Sequence, residues 1–77
     1  MMAKPSVETY YEEGQWRSRR QGTDTPFAVG GSRAEQQQRG RQAAQRDGVE
    51  HIIKNPDGVI VQRNSYQHEP LPPQNTR

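Results

Sequence analysis

The four residues NPDG at positions 55–58 constrain the fold of this chain more than any other feature. Pro56 presets the backbone for the first central position of a type I turn and Asp57 suits the second. Gly58 accepts the positive φ that a following bulge requires. The runs VEHIIK and VIVQR flank the turn and are rich in apolar and β-branched residues. This pattern predicts a β-hairpin over residues 49–63.

The N-terminal part of the chain predicts a second hairpin. The segments VETYYEE at residues 7–13 and QWRSRRQ at residues 15–21 have the composition of strands, and a glycine lies between them. Residues 27–29, within a loop marked by Gly, Asp and Pro, are a candidate short strand.

The segment between the two hairpins predicts a helix with a signal at each end. Ser32 is the N-cap and Glu35 completes a capping box, while Gly48 suits the left-handed position that ends a helix. Gly40 lies mid-helix, at a cost of about 1 kcal/mol relative to alanine. The predicted buried stripe is small and allows close approach to a sheet: Gln36 or Gln37, Gly40, Ala43 and Ala44.

Together these elements predict one small α+β domain of ββαββ order over residues 7–66. It is an antiparallel sheet of two hairpins with one helix packed on one face. Residues 1–6 are predicted to be a flexible leader and residues 67–77 a proline-rich, disordered tail. Only 27% of the 77 residues are hydrophobic, so we expect a small core that gains from a partner.

Several classes of function have no support in the sequence. The chain has no cysteine, and His51 and His68 lack the spacing of a metal site, so we expect no disulfide, metal or cofactor. No nucleophile elbow or phosphate-binding loop is present, so we expect no catalysis and no small-molecule substrate. No apolar run approaches the ~20 residues of a membrane span, so we expect no membrane contact and a cytoplasmic location.

Three segments carry a resemblance to a known family: EGQWRSRRQG, SRAEQQQRGRQAAQRDG and EHIIKNPDGVIVQRNSYQHEP. They are similar to the small bacterial and phage family catalogued as domain of unknown function 2188. The matching positions are Gly14, Trp16, Ala43, Ala44, Gly48, Ile53, Asp57, Gly58, Ile60, Ser65, Tyr66 and Pro70. The chain has Gln37 and Ala43 where the family's helix looks aliphatic, and Ser18 in place of a strand valine. The resemblance implies the ββαββ order and a shallow core, and it implies no activity.

The predicted register of the second hairpin suggests an interaction surface. It places Ile53 near Val61 and Ile52 near Gln62, and therefore distributes apolar side chains over both faces of the sheet. One face carries Val49, Ile53, Val59 and Val61, and the other carries Ile52 and Ile60. Because one helix covers one face, Ile52 and Ile60 are the candidate contact with a second copy or another protein.

The arginines support an alternative, which is DNA binding. If Trp16 faces the helix and anchors the core beneath Gly40, then Arg17 and Arg19 project from the uncovered face. Arginine on a strand can bond phosphates or guanine edges, although the net charge of +2 is small. The candidate nucleic-acid contacts are Arg17, Arg19, Arg20, Arg39, Arg41 and Arg46.

Overall fold

A computed structural model of the protein describes residues 4–66. The elements in chain order are β1 (Val7–Glu12), β2 (Gln15–Arg20), β3 (Ala28–Val29), α1 (Arg33–Asp47), β4 (Glu50–Lys54) and β5 (Ile60–Ser65). Each lies within two residues of its predicted bounds. The predicted tail at residues 67–77 and the first three residues of the predicted leader lie outside the described residues.

The five strands form one sheet in the order β3-β2-β1-β4-β5. Both predicted hairpins are present, since β1 pairs antiparallel with β2 and β4 pairs antiparallel with β5. The prediction of a purely antiparallel sheet is wrong, because β1 and β4 are parallel neighbours and the sheet is mixed. The helix is the reason: it is the crossover that carries the chain from the edge strand β3 over the sheet to β4, beside the central strand β1, as parallel strands require.

The helix begins and ends as the sequence predicts. The Ser32 side chain accepts a hydrogen bond from the Glu35 backbone, and the Glu35 side chain accepts one from the Ser32 backbone. Gly48 ends the helix with a φ of 68°, which is left-handed and costs glycine little. No helix within residues 4–66 is long and apolar enough to cross a membrane.

The helix packs closely on the sheet because its buried stripe is small. Gln36, Gly40, Ala43 and Ala44 are the buried helix residues. The two alanines form an apolar core with Val7 and Val49 of the sheet side, and Tyr66 packs against this core. The prediction that Trp16 lies under Gly40 is wrong, because Thr9 and His51 occupy that position. Trp16 lies near the start of the helix, edge-on to Tyr11 with the Arg33 guanidinium 5.2 Å from its ring centre.

The second hairpin closes through the predicted turn but changes register just beyond it. Gly58 donates to the Asn55 carbonyl at 2.8 Å and has a φ of 89°. Lys54 pairs with Ile60, whereas Ile53 pairs with Gln62, so Val61 is an extra residue in a β-bulge. The prediction that Ile53 lies opposite Val61 is therefore wrong. Beyond the bulge, the side of β5 that faces the helix carries Gln62 and Asn64.

Candidate interaction surface

A buried polar chain runs beneath the helix where most small domains have apolar contacts. The Ser18 hydroxyl donates to Gln36 Oε1 at 2.8 Å, and the Gln36 amide donates to the Gly30 carbonyl at 2.8 Å. Thr9 Oγ1 lies 3.1 Å from Ser18 Oγ and 2.8 Å from His51 Nε2. All four side chains in the chain are at most 1% exposed. The two hydroxyl groups, the Gln36 amide and His51 Nε2 each have a hydrogen-bond partner, as buried polar groups need.

The direction of these hydrogen bonds fixes the tautomer of His51. The single Ser18 proton goes to Gln36, so the Thr9 hydroxyl donates to Ser18 and accepts from His51 Nε2–H. Burial, and to a lesser degree the positive charge of Arg41, lower the pKa of His51 to about 4. His51 is therefore neutral near pH 7, and its Nδ1 carries an acceptor lone pair.

The sheet face opposite the helix is covered by its own charged side chains. Glu8 is 6% exposed, lies in the middle of this face and accepts hydrogen bonds from Arg19 and Gln21, both at 3.0 Å. Lys54 Nζ lies 3.5 Å from the same carboxylate. Burial opposes ionisation, but these bonds and charges together lower the pKa of Glu8. The ionised Glu8 carboxylate on β1 therefore binds the charged side chains of Arg19 on β2 and Lys54 on β4.

Apolar side chains on that same face are buried beneath this ionic layer. The Arg19 guanidinium lies 4.3 Å from the ring centre of Tyr10, which is 6% exposed. Ile52 is 2% exposed, and Arg63, its cross-strand neighbour, forms an ion pair with Glu50 at 3.0 Å. Ile52 therefore offers a partner almost no surface, although the sequence suggested it as a contact residue. Ile60, the other suggested contact, is 43% exposed.

Exposed apolar side chains concentrate on the free edge of β5. Val59, Ile60 and Val61 are consecutive and are 57%, 43% and 46% exposed. Within residues 4–66, β5 is an edge strand that pairs only with β4. The opposite edge strand, β3, spans two residues and carries Val29, which is 47% exposed. We call residues 59–61 the β5 apolar edge.

The arginines suggested for nucleic-acid contact are distributed over different parts of the molecule. Arg17 and Arg19 lie on the sheet face opposite the helix, where they meet Glu13 and Glu8. Arg20 points to the helix side and forms an ion pair with Asp47. The three helix arginines lie on the exposed part of α1: Arg39, Arg41 and Arg46. The sheet and helix arginines therefore do not form one continuous basic surface.

Sequence reasoning missed both the polar chain and the role of Glu8. A signal for the polar chain exists, because Thr9 and Ser18 occupy inward positions of two paired strands. Polar residues at paired inward positions favour a buried hydrogen bond over an apolar core. Glu8 has no comparable local signal, since its partners come from β2, β4 and the segment after β2.

One comparison with known proteins gives a match, which is to the sequence model of a protein family. The family model described as "Uncharacterized protein conserved in bacteria (DUF2188)" matches residues 7–66, which include every strand and the helix. The match confirms the resemblance that the sequence motifs predicted. No curated protein and no solved structure gives a significant match.

Proposed function

We propose that this chain, which belongs to the DUF2188 family of uncharacterised bacterial proteins, is a non-catalytic binding module that self-associates through β5. The observation that carries the proposal is the β5 apolar edge, where Val59, just before β5, and Ile60 and Val61, its first two residues, are about half exposed. Such an edge is a template for pairing with another strand. The occupant that fits it is a second copy of the chain.

The backbone at Ile60 is oriented for a symmetric pairing. The Val59 carbonyl accepts from the Asn55 N–H inside the hairpin at 2.8 Å. Along a strand, successive residues direct their N–H and C=O groups to opposite sides, so those of Ile60 point to the free edge. Two copies related by a two-fold axis at Ile60 would therefore exchange two backbone hydrogen bonds at that residue.

The side chains around Ile60 are compatible with this arrangement. With the two-fold axis at Ile60, the exposed Val59 of one copy lies near Val61 of the other, so the centre of the contact is apolar on both sides. An isologous interface needs a patch that matches itself, and an apolar centre on the axis does so.

The small core of the domain supports the same proposal. The apolar cluster under the helix consists of Val7, Val49 and two alanines, with Tyr66 beside it, and the other buried apolar residues are Tyr10, Ile52 and Ile53. A small domain with so few large buried apolar residues gains stability from an additional apolar contact. The ionic layer over Ile52 and Tyr10 leaves exposed apolar surface at the two edges of the sheet, and the β5 apolar edge is the one with three consecutive exposed apolar residues.

The test is the molar mass measured by size-exclusion chromatography with light scattering from micromolar to millimolar concentration. We expect the native chain to approach twice the monomer mass as concentration rises, and Val61→Lys to shift the midpoint at least tenfold higher. The matched control is Val29→Lys, because Val29 and Val61 are equally exposed valines on the two opposite edges. The control should dimerise like the native chain.

Two results would contradict the proposal. One is a monomer at every concentration. The other is equal weakening by Val61→Lys and Val29→Lys, which would indicate a general effect of charge.

Nucleic-acid binding remains a prediction with less support. Arg17, Arg19 and Arg20 each meet a carboxylate, and the helix arginines lie on the other side of the sheet. A titration of duplex DNA at increasing salt separates the two functions, because phosphate contacts weaken steeply with salt and apolar association does not. Full DNA affinity in an Arg17→Ala/Arg19→Ala variant would exclude the proposed sheet contacts.

A further inference from the structure

A small polar cavity lies between the helix and the inner side of the second hairpin. Its volume is about 90 Å³, which corresponds to roughly three water molecules. One wall is formed by adjacent positions of β4 and β5, and the other by two residues one helical turn apart. The lining residues are Gln37, Arg41, His51, Ile53, Gln62 and Asn64.

The cavity exists because the helix does not reach β5. The helix contacts β1, β2, β3 and β4, and its small residues bring it down over the middle of the sheet. The bulge at Val61 then turns Gln62 and Asn64 toward the helix side. Two amide side chains therefore face Gln37 and Arg41 across a gap that none of them fills.

The polar groups of the cavity lack partners within residues 4–66. The side chains of Gln37, Arg41, Gln62 and Asn64 form no hydrogen bond or ion pair with the described residues. His51 is 1% exposed and uses Nε2 for Thr9, so its Nδ1 is an acceptor without a partner in that part of the chain. A buried polar atom in this state is costly unless something else binds it.

The charges and donors of the lining define the chemistry of a ligand. The lining contains one cation, Arg41, and no carboxylate. Three amides and a guanidinium supply N–H donors for the oxygens of an anion. His51 Nδ1 differs because it accepts, so the best ligand also carries one O–H group.

We infer that this cavity binds a small oxyanion that retains a proton at pH 7, namely inorganic phosphate, rather than the end of a phosphate monoester, whose second pKa of about 6 leaves it mostly without that proton. The Arg41 guanidinium and the amides of Gln37, Gln62 and Asn64 donate to the phosphate oxygens. The remaining P–OH donates to His51 Nδ1, so no proton is transferred. Sulfate has a similar size and geometry but has no proton at neutral pH. The lone pair of His51 Nδ1 would then face a sulfate oxygen and form no hydrogen bond with it.

The inference is tested with the full chain at pH 7 and constant ionic strength by ¹⁵N–¹H correlation NMR. Inorganic phosphate should produce saturable shifts of the side-chain amide signals of Gln37, Gln62 and Asn64. Sulfate should bind about tenfold more weakly, the ratio expected for one lost hydrogen bond opposite a buried acceptor. Glycerol phosphate is titrated in parallel and should bind more weakly than inorganic phosphate at pH 7, because most of it has lost the P–OH proton there; tighter binding of the ester would overturn the role assigned to His51.

A matched pair of helix variants links the shifts to the cavity. Arg41→Gln should weaken phosphate binding at least tenfold, whereas Arg39→Gln removes the same charge from an exposed site outside the cavity and should not. Shifts that stay linear to high phosphate concentration would overturn the inference. Equal affinity for phosphate and sulfate would also overturn it, as would equal weakening by both variants. Since Arg41 is exposed, its variant is expected to fold, and the spectrum itself verifies this.

Discussion

Replacement of Gly40 by alanine tests the packing of the helix against the sheet most directly. In an ordinary helix interior this change stabilises by about 1 kcal/mol, because alanine has the higher helix propensity. Here a Cβ at position 40 would overlap His51 Nε2 and Thr9 Oγ1, both of which are fully buried. Helix propensity therefore predicts that Gly40→Ala stabilises the protein, whereas packing predicts that it destabilises the protein.

The size of the destabilisation follows from the structural change that the new methyl group at position 40 requires. Either the helix lifts from the sheet or the hydrogen bond between His51 and Thr9 breaks. Overpacking of a buried site costs about 1–3 kcal/mol, and a buried donor left without its acceptor costs a similar amount. After the gain of about 1 kcal/mol from propensity is subtracted from the middle of that range, we expect Gly40→Ala to lower the free energy of unfolding by about 1 kcal/mol.

The assay is urea unfolding followed by the fluorescence of Trp16. Gln38 provides the control, because it is exposed two residues away on the same helix. The difference between Gln38→Ala and Gln38→Gly measures the propensity term and should favour alanine by about 1 kcal/mol. If Gly40→Ala were as stable as the native chain or more stable, the close contact of the helix with Thr9 and His51 would be refuted.

Three further predictions concern stability. Because the pKa of His51 falls from 6.5 unfolded to about 4 folded, stability should be complete above pH 6.5 and decline toward pH 4. The loss from pH 7.5 to pH 5 is about 2 kcal/mol by urea unfolding, and it should vanish in His51→Gln. Glu8→Gln should destabilise by about 2 kcal/mol because it removes the buried anion that the partly buried Arg19 and Lys54 share, while Glu13→Gln, an exposed control, should change stability by less than about 0.5 kcal/mol. Ser32→Ala should cost about 1 kcal/mol in thermal unfolding through loss of the N-cap, and no change would refute the capping box.

The elements that depend on neighbours in sequence were predictable. The turn at residues 55–58 needs only Pro56, Asp57 and Gly58, and the helix ends need only Ser32, Glu35 and Gly48. The parallel pairing of β1 with β4 was not predictable in this way, since it depends on where the long connection over residues 13–49 returns the chain. Local signals define strands, but they do not define the direction of a partner strand.

The bulge at Val61 shows how a one-residue difference changes a site. A regular hairpin continuing from the turn places Val61 opposite Ile53, an apolar pair that the sequence favours. The structure instead pairs Ile53 with Gln62 and leaves Val61 exposed. This exchange is tolerated because the helix does not cover β5, so an inward Gln62 keeps access to solvent. The sequence of β5 alone contains no signal for it, because the cause lies in the reach of the helix.

The limited reach of the helix links the two proposed sites. Gly40 lets the helix settle onto Thr9 and His51, over the middle of the sheet, and β5 is left without a helix above it. A strand in that position has an uncovered inner side and a free edge. Its inner side supplies Gln62 and Asn64 to the polar cavity, while its edge presents Ile60 to a second copy. Because these side chains and backbone groups point in different directions, a partner on the edge need not close the cavity. The two functions are therefore separable: Val61→Lys should weaken association at least tenfold without altering phosphate affinity, and Arg41→Gln should weaken phosphate binding at least tenfold without altering association.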